Sequence, residues 1–252
     1  MRTTALITAV LGGAALVIGL AVTPASAATP ASAPAAHGAF APFHGALAHS
    51  KPRIGGNFNQ DGGNWSGYVA RGSGFTSVTA SWNEPTVTCN SSNDLYAPWV
   101  GIDGYGSSSV EQTGVATDCS SGRPVYQAWY EMYPANPVYY TNAVSGGDSF
   151  TGTVTRSGTS YTLTITDNTK SWTKTTTKTY RGSNASAEFI LESPTAAYPR
   201  FGTVTFTGAK INGSSLSTFS PTALDASNSG GFEDHTSTIS GGTTFSVTYS
   251  RE

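Results

Sequence analysis

Short runs of alternating apolar and hydroxyl-bearing residues recur along this chain, and nothing in it reads as a long amphipathic helix. Thr76-Ser-Val-Thr-Ala-Ser-Trp82 is one such run, ended by Asn83-Glu-Pro85. Ser149 to Thr155 and Ser160 to Thr166 pair across Arg156-Ser-Gly158, and Ser171 to Tyr180 follows with Thr and Lys on one side. Asn64 to Val69, Val125 to Tyr133, Ala185 to Leu191, Gly202 to Ile211 and Thr243 to Tyr249 complete the set. Between Tyr96 and Gly114 an apolar strand meets a Gly/Ser turn and then a second strand carrying Gln112. Many short strands with turn signals between them leave an all-β sandwich or barrel. Charged residues make up 11% of the chain, against roughly 25% in an ordinary soluble domain. Ser, Thr, Asn and Gly take their place, which favours strands and turns over helices.

The N-terminus is different in kind. Ala5 to Val22 is mostly apolar, and Ala25-Ser-Ala27 is a small-residue cleavage site, so 1–27 reads as a secretory signal peptide. A membrane anchor needs a longer span and lacks that site. Residues 28–56 are rich in Ala, Pro and Gly, with His37, His44 and His49; they read as a linker or a short propeptide. Residues 57–252 form the globular domain, of a length that a single β-sandwich often reaches. The expected mature protein is therefore extracellular, away from the membrane, and monomeric.

Charge narrows the partners. All 15 Asp and Glu lie from Asp61 onward, and no basic patch with interleaved aromatics points to nucleic acid. Few charges also limit self-repulsion when carboxylates protonate, which is compatible with work in acid. Cys89 and Cys119 are the two cysteines. In an exported chain they read as one disulfide, stabilising by roughly 3–4 kcal/mol and restraining both ends of the Gln112 segment. The alternative is two buried thiols or metal ligands; with one downstream histidine they make a poor metal set.

Elimination reduces the chemistry further. Only His235 lies beyond residue 56, in the polar stretch Glu233-Asp-His-Thr236, read as a surface turn. There is no G-x-S-x-G elbow, no H-E-x-x-H and no Asp-Thr/Ser-Gly. No metal or cofactor is expected. Carboxylates remain. A period of two puts Glu188, Ile190 and Glu192 on one strand face, opposite Ala187, Phe189 and Leu191. It also groups Gln127, Trp129, Glu131 and Tyr133. From pattern alone each acid is either a functional group or a residue on a wetted face.

Six segments decide between these readings. Asn64-Trp65, Trp99-Val-Gly-Ile-Asp-Gly104, Glu111-Gln-Thr-Gly114, Ala128-Trp-Tyr-Glu-Met-Tyr-Pro134, Gly147-Asp148 and Ala187-Glu-Phe-Ile-Leu-Glu192 resemble the motifs of glutamic peptidases, or eqolisins, in the same order. The resemblance implies a sandwich of two curved antiparallel sheets, of concanavalin A-like or jelly-roll type, with a cleft on one face. It implies Gln112 and Glu188 as the catalytic pair. Trp65, Trp99, Asp103 and Glu131 match residues that line or support the cleft, and Gln127 and Tyr133 share the face of Glu131. Gln127 departs from the fungal pattern, where that position of the Tyr-x-Ala-Trp-Tyr-Glu strand is an acid.

The implied activity is a secreted, acid-acting endopeptidase on polypeptide substrates. Glu188 would take the proton of the attacking water and return it to the leaving amine. Gln112 would offer NH₂ to the oxyanion and C=O to the water. For Glu188 to ionise at low pH, hydrogen bonds to its charged form are expected. Two other readings use the same residues. One is a lectin-like module stacking sugars on Trp65, Trp99 and Trp129. The other is a glycosidase with Glu131 and Glu188 as its pair, testable by carboxyl separation.

Overall fold

The computed structural model describes residues 58–251. The expected signal peptide (1–27) and linker or propeptide (28–56) lie outside the described residues.

Two large sheets account for nearly all the structure. Numbering strands in chain order, the first sheet runs β1 (Gln60–Asp61), β14 (Thr222–Asp225), β2 (Trp65–Arg71), β11 (Ser186–Glu192), β4 (Leu95–Ile102), β5 (Val110–Asp118), β6 (Val125–Tyr133) and β7 (Val138–Tyr139). The second runs β10 (Trp172–Thr179), β9 (Ser160–Asp167), β8 (Ser149–Ser157), β3 (Ser77–Asn83), β12 (Thr203–Ile211), β18 (Phe245–Tyr249) and β17 (Asp234–Thr236), with β13 (Ser214–Ser215) paired to β12. A ribbon of β15 (Ser227–Asn228) and β16 (Gly231–Phe232) and one 3₁₀ turn, Leu216–Phe219, complete it. Pairing is antiparallel except between β1 and β14. The all-β sandwich expected from alternation is therefore what the chain forms.

Alternation sorts the side chains. Tyr68, Val100, Ala128 and Phe189 from the first sheet meet Val154, Leu163 and Phe206 from the second in one apolar core. The opposite residues of the first sheet form a separate cluster around Trp65, Trp99, Trp129 and Ile190. β4, β5 and β11 are buried at every position, so both of their faces are covered. Such strands read as continuous apolar runs, which is why Tyr96–Ile102 shows less alternation than the strands of the second sheet.

Cys89 and Cys119 are bonded. The bridge ties the segment before β4 to the end of β5, beside the Cys119 N–H to Asp94 carbonyl hydrogen bond of 3.0 Å. Glu233–Thr236 is not a surface turn. Asp234–Thr236 is strand β17, Glu233 and Asp234 are buried, and His235 Nδ1 meets Asp225 Oδ2 at 3.0 Å. Polarity suggested a turn there because the sequence does not reveal that Ser66 and Asp225 supply partners for these groups.

Candidate active site

Strand register places four positions in one row across the first sheet. Glu188 on β11 is opposite Gly101 on β4, Gly101 is opposite Gln112 on β5, and Gln112 is opposite Glu131 on β6. All four are on the face away from the sandwich core, by the parity that puts Phe189, Val100 and Ala128 inside. Gly101 separates Glu188 from Gln112. A Cβ there would sit 2.9 Å from the Trp99 ring and 3.2 Å from Gln112 Cβ. Its absence lets the Trp99 ring and the Gln112 side chain close over this position, between Glu188 and Gln112, whose backbones are two strand spacings, on the order of 10 Å, apart.

The next row is aromatic. Ile190, Trp99, Gly114 and Trp129 lie opposite one another in turn. A Cβ on Gly114 would lie 2.7 Å from Trp99 Cβ and 2.3 Å from the Pro98 carbonyl, so only glycine lets Trp99 seat this low. Trp65 meets Trp99 edge-on, with ring centroids 5.0 Å apart. Trp99 Nε1 donates to Glu192 Oε2 at 3.1 Å, and Asn64 Nδ2 to Glu192 Oε1 at 3.2 Å. Glu192 is thus fixed at the edge of the row rather than presented to solvent.

Gln112 Nε2 donates to Glu131 Oε2 at 2.8 Å. A side-chain amide carries two N–H donors, so one can orient the amide on Glu131 while the other serves a second acceptor. Glu188 Oε1 accepts from the backbone N–H of Tyr105 at 3.3 Å, while Oε2 has no hydrogen-bond partner. Both Gln112 and Glu188 are fully buried. Burial pushes the Glu188 carboxyl well above the usual carboxylate range; Ser186 and the Tyr105 N–H pull it back, and Asp103 and Glu111 raise it again. The hydrogen bonds expected to favour the ionised form of Glu188 are therefore outweighed by its burial in this closed site.

Asp103 does not present its carboxylate to the open face. Its backbone sits in the left-handed region at φ 63°. Its Oδ2 accepts from Asn184 N–H at 2.7 Å and its Oδ1 from Ala185 N–H at 2.8 Å. Asp103 thus ties the end of β4 to the start of β11, three residues before Glu188. Gln127 is half-buried, opposite Ala116. Tyr133, opposite Val110, packs with Tyr105 and Tyr139 against the tryptophan cluster.

On the core side lie further acids. Glu84 accepts from Tyr96 Oη at 2.9 Å and Thr117 Oγ1 at 2.7 Å, and burial pushes it to about 7. Glu111 is pushed to about 8, by burial first and then by Asp103, with Ser109 and Arg156 opposing. Among the described residues no group of three or more His, Cys, Asp or Glu is placed to hold a metal.

Sequence reasoning missed two residues here and gave a third no role. Alternation puts Glu192 on the Glu188 face but does not reveal its bonds to Trp99 and Asn64. Tyr105 acts through its backbone N–H, which has no sequence signature. Arg71, whose guanidinium lies over the Tyr105 ring, sits at a strand end where charge is ordinary.

Known proteins resemble this chain in sequence and in fold. The Peptidase A4 family model matches residues 63–249. Aspergillopepsin-2 of Aspergillus niger is 28% identical over 232 residues, covering 78% of this chain and 81% of that protein. Scytalido-glutamic peptidase, crystallised with a transition-state analogue inhibitor, superposes with a TM-score of 0.66 at 27% identity, over 75% of this chain and 98% of that one. A member of the eqolisin family in complex with the tripeptide Ala-Ile-His superposes at 0.62 with 27% identity, over the same shares.

Proposed function

Because the chain belongs to the Peptidase A4 family, and is by that membership a peptide-bond hydrolase, we propose that it is a secreted, acid-acting endopeptidase using Glu188 and Gln112. The observation that supports this best is the row Glu188–Gly101–Gln112–Glu131: a carboxyl and an amide stand on the same sheet face, on strands either side of a glycine that carries no side chain between them.

The steps follow from these groups. Water reaching the Glu188 carboxyl reduces its desolvation, the largest cause of its shift, and lowers it toward the ordinary range. Ionised, it takes a proton from water, which attacks the scissile carbonyl. Charge develops on the carbonyl oxygen, and the second N–H of Gln112, oriented by Glu131, donates to it. Glu188 then gives its proton to the departing amine. A glutamine amide keeps its donors throughout the acid range, so the oxyanion partner survives conditions that neutralise carboxylates.

The rival readings fit less well. Trp65, Trp99 and Trp129 are fully buried and Trp65 and Trp99 pack on each other, so they offer no sugar-stacking platform. Glu131 is three strand spacings from Glu188, on the order of 14 Å between backbones, with Gln112 between them. A glycosidase pair needs both carboxyls flanking one bond, whereas the Glu131 carboxylate here accepts from the Gln112 amide that stands between the two acids.

Export is supported by the Cys89–Cys119 bond, which persists in oxidising compartments. We infer that the secreted form lacks 1–27 and that the active form loses part of 28–56. Digestion of an acid-denatured protein across several acidic pH values tests the activity. Fragments are expected; their absence at every pH, from folded protein of verified N-terminus, contradicts the reading.

A further inference from the structure

The strands of the first sheet contribute one cationic side chain to the active-site face. It is Arg71, at the end of β2 and opposite Ser186 on β11. It stands one row beyond Val69, the strand partner of Glu188, hence about 7 Å along the strand from that row. The ionisable groups of that row, Glu188 and Glu131, are acids.

Arg71 is exposed but not loose. Its guanidinium lies over the Tyr105 ring, 5.6 Å from the centroid. Tyr105 is held at both ends: its hydroxyl accepts from Gln60 Nε2 at 2.9 Å, and its backbone N–H donates to Glu188. A guanidinium stacked on a ring keeps its N–H edge free for a planar, two-oxygen partner. No carboxylate of the described residues forms an ion pair with Arg71. Nor is it among the groups that shift Glu188, so its charge is not consumed in tuning the base.

We propose that Arg71, seated on Tyr105, is a substrate subsite that takes a peptide carboxylate on the Glu188 side of the scissile bond. The carboxylate belongs either to an acidic side chain or to the substrate's own C-terminus. The proposal rests on the endopeptidase reading above. Recognition is by paired N–H···O bonds from the guanidinium fork, which a neutral amide matches poorly. Because the site is solvent-exposed, the effect is modest, about two- to fivefold in kcat/KM. It requires an ionised ligand, and side-chain carboxyls lose that state below about pH 4.

The test uses internally quenched peptides of one sequence, with Glu or Gln at each position flanking the cleaved bond, and with a free or amidated C-terminus. Wild type, Arg71→Gln and Arg71→Lys are compared as Glu/Gln and free/amidated ratios, near pH 5.5 and near pH 3, at low and high salt. Wild type is expected to prefer the carboxylate about two- to fivefold through KM at one position. That preference should fall toward one at pH 3 and in high salt, vanish in Arg71→Gln and survive in part in Arg71→Lys. If only the free/amidated ratio responds, the ligand is the C-terminal carboxylate; if only Glu/Gln responds, it is a side chain. Equal ratios in wild type and Arg71→Gln at every position overturn the subsite. Failure of wild type to cleave any peptide overturns the endopeptidase reading instead.

Discussion

The two outer faces of this sandwich are built on the same backbone pattern and have opposite chemistry. On the second sheet the row Thr173, Thr166, Thr151, Ser81, Thr207 crosses five strands with a hydroxyl at every position. Neighbouring hydroxyls bond across strands: Ser81 to Thr151 at 2.8 Å and Thr164 to Thr175 at 3.2 Å. On the first sheet the matching rows hold Glu188, Gln112, Glu131 and three tryptophans, all buried. Every described Asp and Glu except Asp61 is buried as well. The chain thus meets solvent with neutral hydroxyls and cations and keeps its carboxyls inside, where burial raises those of Glu84, Glu111 and Asp234. Acid cannot disrupt a surface that depends on hydroxyl pairs, and it neutralises the acids whose burial is otherwise costly.

If the faces differ in this way, small changes on the buried face should cost activity and small changes on the hydroxyl face should not. Glu188→Gln keeps the shape and removes proton transfer, so kcat should fall ~10²–10⁴-fold. Gln112→Ala removes the oxyanion donor, with an expected loss on the order of 10²–10³-fold. Stopped assays on a quenched peptide measure both, with near-UV circular dichroism confirming the fold.

Asp103→Ala should act on stability. It leaves the buried N–H groups of Asn184 and Ala185 without their acceptor, at a cost of about 3 kcal/mol. The urea midpoint should drop with m unchanged. An unaltered midpoint would remove Asp103 from the support of β11.

Stability should depend on pH in the direction opposite to ordinary acid denaturation. Burial raises Glu84 to about 7, and Glu111 and Asp234 to about 8. Unfolded, these groups titrate near 4. Between pH 4 and 8 the native state therefore holds protons that the unfolded state has released, and stability falls as pH rises. It is fully present below about pH 4 and lost through pH 7–8, with a Tm decrease on the order of 10 °C. Scanning calorimetry from pH 3 to 8 checks this; a Tm that rises with pH contradicts it. Glu111→Gln should flatten the upper part of that curve.

The smallest effect belongs to the hydroxyl face. Thr164→Ala removes one member of a cross-strand pair whose partner, Thr175, stays solvated. It should cost about 0.5–1 kcal/mol and leave kcat/KM unchanged.

Much of the fold was legible in the sequence, for a physical reason. Alternation with period two fixes the face of every strand residue, so Gln127, Glu131 and Tyr133 group together from spacing alone, as do Glu188 and Glu192. Register was not legible, because it depends on turns and bulges far from the paired residues. The opposition of Glu188 and Gln112 across Gly101 follows from register alone. The shift of Glu188 also escaped, since it comes from burial by the whole assembly, and alternation does not reveal that a polar face is covered. Asp103 was placed near the cleft, but its turn into the left-handed region directs its carboxylate to the backbone of another strand.

The central claim is that Glu188 and Gln112 act on one transition state across Gly101. The most direct test is kcat for Glu188→Gln, Gln112→Ala and the double variant, on one peptide in acid. Groups that act as a unit lose activity non-additively. The account predicts a double variant about as slow as the slower single variant. Losses that multiply, or a folded Glu188→Gln enzyme at nearly the wild-type rate, would contradict it.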